Sequence, residues 1–260
     1  MLEGKTLQDK IEKAKAKKGL LLMPHLVLGF PSFEENEKVI AAMVGAGADI
    51  IEMQIPFSEP MADGPVLLRA NGEALKRGAT TTKCLGFAEK ITALYPDVIF
   101  LFMTYYNVPF AYGVPRFVEK AKACGVEGLI IPDLPPEEAD EVIACCDKAG
   151  IAPIFFFTPT TTDARLKTQA GYAKGMIYCV GRRGVTGVKT EMGRDMDDLI
   201  ARYRDATDLP LALGFGIQTK ADVDFLRGKV DIAIIGTKLF QIHEEQGAEA
   251  VGAFLKGLRD

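Results

Sequence analysis

Short apolar runs rich in Ile, Val, Leu and Phe recur eight times along the chain, each separated from the next by a longer stretch with helical features, and this alternation narrows the possible folds most. The runs cover residues 20–28, 49–55, 97–103, 128–131, 151–157, 176–180, 209–213 and 230–235. Strands that are short and apolar on both faces must be covered on both sides, as in a parallel sheet flanked by helices. The intervening segments carry helix punctuation. Ser32 with Glu35 predicts a capping box before a helix that stops at Gly45 and Gly47. Pro135 and Pro136 precede a helical segment over 137–149, which Gly150 closes, and Thr162 or a neighbouring threonine is placed to cap a helix over 163–172. Residues 6–17 predict one extra amphipathic helix ahead of the first strand. Eight strand–helix units without a Pro/Ser-rich linker predict an α/β fold, a single (β/α)8 TIM barrel over residues 1–260 with an extra N-terminal helix. An open doubly wound sheet is the rival, but the GxGxxG turn expected after its first strand is missing.

Composition removes several classes of function. A formal net charge of −4 leaves no basic excess to neutralise nucleic-acid phosphates. The most apolar early stretch, residues 19–30, contains Pro24 and His25 and is too short to span a bilayer; no signal peptide is expected. Five cysteines, an odd number, fit free thiols in a reducing cytoplasm. Cys145 and Cys146 are adjacent, the wrong spacing for zinc, and with only His25 and His243 as imidazoles no metal site is expected.

In a barrel of this kind the chemistry sits where the strands end. Alternation along residues 49–55 puts Ile51, Met53 and Ile55 on one face and Glu52 and Gln54 on the other. The apolar face belongs against helices, so Glu52 and Gln54 are expected to point into the barrel. A carboxylate there is costly unless paired or solvated, and a working acid/base and a satisfied structural carboxylate stand as equal readings from position alone. The loop over 56–65 holds Asp63 before Gly64 between flanking prolines, which by itself reads as no more than a turn. Gly214 and Gly216 end the seventh apolar run and Gly236, followed by Thr237, ends the eighth. Barrels often bind phosphate at these two turns through backbone N–H groups, and that reading is preferred here over simple strand-to-helix connections. Residues 181–187 carry three glycines with Arg182 and Arg183 and are expected to form a mobile lid rather than a plain surface loop.

Taken in order, the segments IEMQIPFSEPMADGP, MTYYN, GVTG and GFGI resemble the tryptophan synthase α family along nearly the whole chain. The first and third are specific to it; the glycine turns alone would not be. The resemblance implies a lyase of tryptophan biosynthesis that splits indole-3-glycerol phosphate by a retro-aldol reaction into indole and glyceraldehyde 3-phosphate. It implies Glu52 as catalytic acid/base and Asp63 as partner of the indole N–H. It matches Tyr105, Tyr178 and Phe215 to the substrate pocket and Thr186 to a lid residue that closes towards Asp63. Gly187, Gly214, Gly216, Gly236 and Thr237 fall on the phosphate site, with Thr237 where the family usually has serine. No cofactor is implied for this chain. The implied partner is a β subunit, a pyridoxal-phosphate enzyme that receives indole in an α2β2 tetramer. Four positions depart from the family pattern: Gln54 replaces a small residue, Glu59 an aspartate in the partner-facing loop, and His25 and Phe30 an aromatic residue and an aspartate near the end of the first strand. Rival readings are another phosphosugar barrel enzyme, a stand-alone indole-releasing lyase, and a silent barrel that activates a partner synthase. Retention of both Glu52 and Asp63 argues against the last.

Overall fold

The computed structural model describes residues 6–181, 194–214 and 216–259. Every one of the eight apolar runs contains a strand: β1 (Leu21–Val27), β2 (Ile50–Gln54), β3 (Ile99–Met103), β4 (Gly128–Ile130), β5 (Ala152–Phe157), β6 (Ile177–Val180), β7 (Leu211–Gly214) and β8 (Ile232–Ile235). All neighbours are parallel and pair in chain order, and β8 returns to β1, closing the barrel. Most strands are a residue or two shorter than the runs that predict them. Leu20, for example, is tied into a turn by its N–H to the Lys18 carbonyl rather than into the ladder. β7 instead begins after Pro210, which has no N–H to donate, and runs one residue further than expected, through Gly214.

Strand alternation divides the interior into two layers. Ile51, Met53, Ile55, Phe100, Phe102 and Leu129 face outward and form one continuous core with the helices. Leu21, Met23, Ile50, Ile99, Leu101, Ile154, Ile232 and Ile234 face inward and fill the barrel. The covering helices are α1 (Leu7–Lys18), α2 (Phe33–Gly45), α3 (Pro65–Lys76), α4 (Thr81–Leu94), α5 (Asn107–Tyr112), α6 (Val114–Ala123), α7 (Asp140–Ala149), α8 (Asp163–Tyr172), α9 (Arg194–Arg204), α10 (Lys220–Leu226), α11 (Thr237–Gln246) and α12 (Ala248–Arg259).

Helix punctuation works largely as read. Thr162 caps α8 by accepting from the Arg165 N–H, and Gly150 closes α7 in the left-handed conformation. Two expectations need correction. The Ser32 hydroxyl accepts from the Glu35 N–H, but the Glu35 carboxylate pairs with Lys38 at 2.7 Å, so only half of a capping box forms. The helix expected over 137–149 opens instead as a 3-10 turn, Pro136–Glu138, and becomes α-helical only from Asp140.

The extra N-terminal helix is the floor of the barrel. A reciprocal Thr6–Asp9 capping box starts α1, and its buried residues Leu7, Ile11 and Ala14 belong to the inward-facing cluster. Leu7 fits because Gly128 and Gly175 carry no side chain: a Cβ on Gly175 would come within 2.6 Å of Leu7 Cδ2, and one on Gly128 within 3.2 Å. Around this floor lie two buried aspartates, each beside the start of a strand. Asp49 accepts from the Leu22 N–H and pairs with Lys18 of α1 and Arg259 of α12. Asp231 accepts from the Leu211 N–H and pairs with Lys15 of α1 and Arg204 of α9.

Candidate active site

At the other end of the barrel the inward-facing parity stops being apolar. On β1, Leu21 and Met23 are followed by His25; on β2, Ile50 is followed by Glu52 and Gln54. The strands are in register with His25 opposite Glu52, and His25 also reaches Gln54, so the three polar side chains are neighbours. All are buried: Glu52 is 1% exposed and Gln54 0%. Glu52 Oε1 lies 3.2 Å from His25 Nδ1. Its other oxygen, Oε2, is buried without a hydrogen-bond partner among the described residues. An unpaired buried carboxylate oxygen is destabilising, so it marks a position built for something other than stability.

Asp63 arrives from the loop after β2, and several contacts hold that loop in place. Asn71 of α3 donates to the Leu67 carbonyl and accepts from the Phe57 N–H at 3.0 Å, and its amide N–H lies 3.5 Å from Asp63 Oδ2. Tyr105, fully buried just beyond β3, stacks on Phe57 at 5.4 Å and accepts from the Ala62 N–H at 3.1 Å. The Asp63 carboxylate receives a 2.7 Å hydrogen bond from Gln54 Nε2. Burial raises the Asp63 pKa, against hydrogen bonding from Gln54 and the positive field of His25. Tyr178, inward-facing on β6, lies near both carboxylates; burial and then the charges of Glu52 and Asp63 push its hydroxyl well above its usual value.

The two glycine turns complete the mouth. Gly214 continues the inward parity of Ala212 on β7, and Gly236 that of Ile232 and Ile234 on β8. Lacking side chains, they leave the rim open. A Cβ on Gly236 would meet only His25 Cβ, at 3.9 Å. Gly236 is also the N-cap of α11 and, having no side chain, supplies no cap to the first N–H groups of that helix. Gly216 has φ +89°, a conformation that suits glycine.

The structure thus brings Glu52, Asp63, Tyr105 and Tyr178 close together, with Gly214 at the end of β7, Gly216 just beyond it, and Gly236 and Thr237 where β8 passes into α11. Thr186, Gly187 and Phe215, together with the rest of the expected lid beyond Gly181, lie outside the described residues. Two residues with no role in the sequence reading prove central. Asn71 pins the Asp63 loop, and its signal in the sequence is an asparagine on the same helical stripe as Leu67, Ala70 and Ala74. His25, in sequence a departure near the end of the first strand, touches Glu52 directly.

The fold agrees with comparisons to known proteins. The sequence profile of the family described as "Tryptophan synthase alpha chain" matches residues 11–256. A tryptophan synthase alpha chain from Syntrophotalea carbinolica is 50% identical over 253 residues, covering 97% of this chain and 100% of the relative. One from Desulfotalea psychrophila is also 50% identical, over 98% of this chain and 100% of the relative. Among solved structures, Mycobacterium tuberculosis tryptophan synthase superposes with a TM-score of 0.90 at 29% identity, covering 97% of this chain and 96% of that one.

Proposed function

This chain belongs to the tryptophan synthase alpha chain family, and from that membership together with the site geometry we infer how it cleaves indole-3-glycerol phosphate to indole and glyceraldehyde 3-phosphate. The observation that carries the residue assignment is the Glu52 carboxylate, buried with Oε2 unpaired at the mouth of the barrel and linked to Asp63 through neighbouring side chains.

Breaking the C3–C3′ bond requires the indole ring to accept the electron pair of that bond. Glu52 donates a proton to C3, which places positive charge on N1–H, and Asp63 lies across the cleft to stabilise that charge. Glu52 then takes the proton of the C3′ hydroxyl. The C3–C3′ bond breaks, its electrons restore the aromatic ring, and the aldehyde leaves. The proton given to C3 is balanced by the one taken from oxygen, so Glu52 ends as it began. The substrate phosphate is assigned to the N-terminus of α11 and the turn after β7, where uncapped N–H groups and absent side chains suit an anion. Tyr105 acts by holding the Asp63 loop as well as lining the pocket.

A β subunit is the expected partner, in an α2β2 assembly. Met61, 76% exposed in the Asp63 loop, and Phe110, 64% exposed on α5, supply apolar surface beside the mouth from which indole leaves. Glu59 is exposed in the same loop. A cytoplasmic location fits this role, and no helix among the described residues is long and apolar enough to cross a membrane. The test is indole release from indole-3-glycerol phosphate by the purified chain, with and without a β subunit, for wild type and Glu52→Gln. Unchanged indole release by a folded Glu52→Gln protein would remove Glu52 from the mechanism.

A further inference from the structure

Two side chains that the mechanism leaves unused, His25 and Gln54, lie between its two carboxylates, and the direction of every hydrogen bond along them is set from one end. An ionised Asp63 can only accept, so the Gln54 amide turns its NH2 towards Asp63 Oδ2 at 2.7 Å and its carbonyl towards His25. Reversing the amide would set two acceptors against each other. The carbonyl in turn can only accept, so the His25 proton on Nε2 points at Gln54 Oε1, 2.9 Å away. Nδ1 is then the ring atom left facing Glu52 Oε1 at 3.2 Å.

We propose that His25 and Gln54 form a positioning relay, in which ionised Asp63 orients Gln54, Gln54 fixes a proton on His25 Nε2, and His25 donates its other N–H to Glu52 Oε1 so that Oε2 alone moves protons. The proposal rests on the reading of Glu52 and Asp63 as the catalytic pair. In the proton cycle given above, Oε2 gives a proton to C3 and regains one from the C3′ hydroxyl, while the two imidazole protons stay in place. The relay also ties the working states of the two carboxylates together across the cleft.

The surroundings of His25 support a protonated ring. Burial lowers its affinity for a proton, but the Glu52 and Asp63 carboxylates and the Gln54 carbonyl outweigh that, and the net pKa is raised. Among the other groups near it, Phe240 of α11 packs against the ring at 5.9 Å and is apolar. His243, which lines the same small cavity on the outer side, is 3.6 Å from its own carboxylate, Glu35. Among the described residues Tyr105 and Tyr178 also face the cleft, and burial favours the neutral form of both. Loss of the His25 proton at high pH would leave a ring lone pair facing the Glu52 carboxylate, so activity falls as pH rises past that point.

The chain has only two histidines, so nitrogen NMR of ring-labelled protein reads His25 directly, with His243→Gln providing the assignment. The expected result is a His25 ring that titrates above its ordinary 6.5 and, when neutral, keeps its proton on Nε2. Gln54→Met, which keeps volume but removes both hydrogen bonds, should lower the His25 midpoint by about half a unit, and Glu52→Gln by more. In Gln54→Met, kcat should fall about tenfold with KM changed less than about threefold, and the alkaline limb of kcat should move to lower pH together with the His25 midpoint. A neutral ring protonated on Nδ1, or a midpoint unmoved by Gln54→Met, overturns the relay. If Glu52→Gln leaves indole production intact, the catalytic pair itself fails, whatever the NMR shows.

Discussion

At the floor of the barrel, Asp49 and Asp231 are buried beside the starts of strands and each is held by one backbone N–H and two cationic side chains. At the mouth, Glu52 is buried on β2 and Asp63 half-buried in the loop after it, yet no lysine or arginine pairs with either among the described residues, and Glu52 keeps one oxygen without a partner. The same chemical group is used in two ways. Floor carboxylates are satisfied by the protein and bind helices to the barrel. Mouth carboxylates lack cationic partners among the described residues, and on the reading proposed above their remaining hydrogen-bonding capacity serves the substrate. Stability and function are therefore separated along the barrel axis, and substitutions at the two ends should fail in different assays.

The largest effect expected is on catalysis at the mouth. Glu52→Gln should lower indole production about 10²–10⁴-fold while the melting temperature stays near that of wild type. A variant that unfolds instead would place Glu52 with the floor carboxylates and erase the contrast. Asp231→Ala is the reciprocal case. It strips the partner from Lys15 and Arg204 and orphans the Leu211 N–H, which should cost about 2–4 kcal/mol in denaturant unfolding. Activity per folded molecule should persist; if it collapsed with stability intact, the floor would have a role in the chemistry.

A smaller change tests the phosphate reading. Gly236→Leu has room for its Cβ, whose nearest neighbour would be His25 Cβ at 3.9 Å, so the fold should tolerate it while the side chain fills the rim. KM for indole-3-glycerol phosphate should rise about tenfold or more, with kcat less affected. An unchanged KM would move the phosphate elsewhere.

The smallest effect has opposite signs at the two ends. Lys15, the Leu211 N–H and Arg204, working against burial, hold the Asp231 carboxyl below its ordinary 3.8. Its stabilising contribution is thus present above pH 3.8 and is lost as pH falls through the lower folded value. Burial raises Asp63 above 3.8, so its ionised form opposes folding at neutral pH, and that penalty fades as pH falls through the raised value. Against wild type, Asp231→Asn should therefore melt lower at pH 7 and Asp63→Asn higher, with both differences shrinking towards low pH. Melting curves between pH 3 and 7 with differences of the same sign would show that the two ends do not differ as described.

The sequence made the mouth easier to read than the floor. Period-two alternation turns Glu52 and Gln54 inward by simple counting, and glycines ending the seventh and eighth runs are visible without a structure. His25 is different. Its contact with Gln54 spans 29 positions and depends on how β1 and β2 are staggered, which no local pattern encodes. Asp49 was read as the first residue of a strand, but its partners Lys18 and Arg259 come from helices near both ends of the chain. The helix over 137–149 was misjudged for a local reason: two consecutive prolines favour a tight opening turn that the periodicity of the later residues conceals. Loops were legible where one residue dictates conformation, as at Gly150, and not where distant side chains such as Asn71 and Tyr105 hold them.

The floor helix has a bearing on how the polypeptide assembles as it is made. α1 is synthesised before every strand of the barrel, yet Lys15 waits for Asp231 and Leu7 for Gly175. Asp49 likewise waits for Arg259, 210 positions later. β1, too, keeps one edge unpaired until β8 has left the ribosome. Ring closure and neutralisation of the two buried acids thus wait for the same late segments, β8 and the helix that carries Arg259. A nascent chain stalled before β8 holds seven of the eight strands but lacks Asp231 and Arg259, and it exposes an open edge of β1 to its neighbours in the cell.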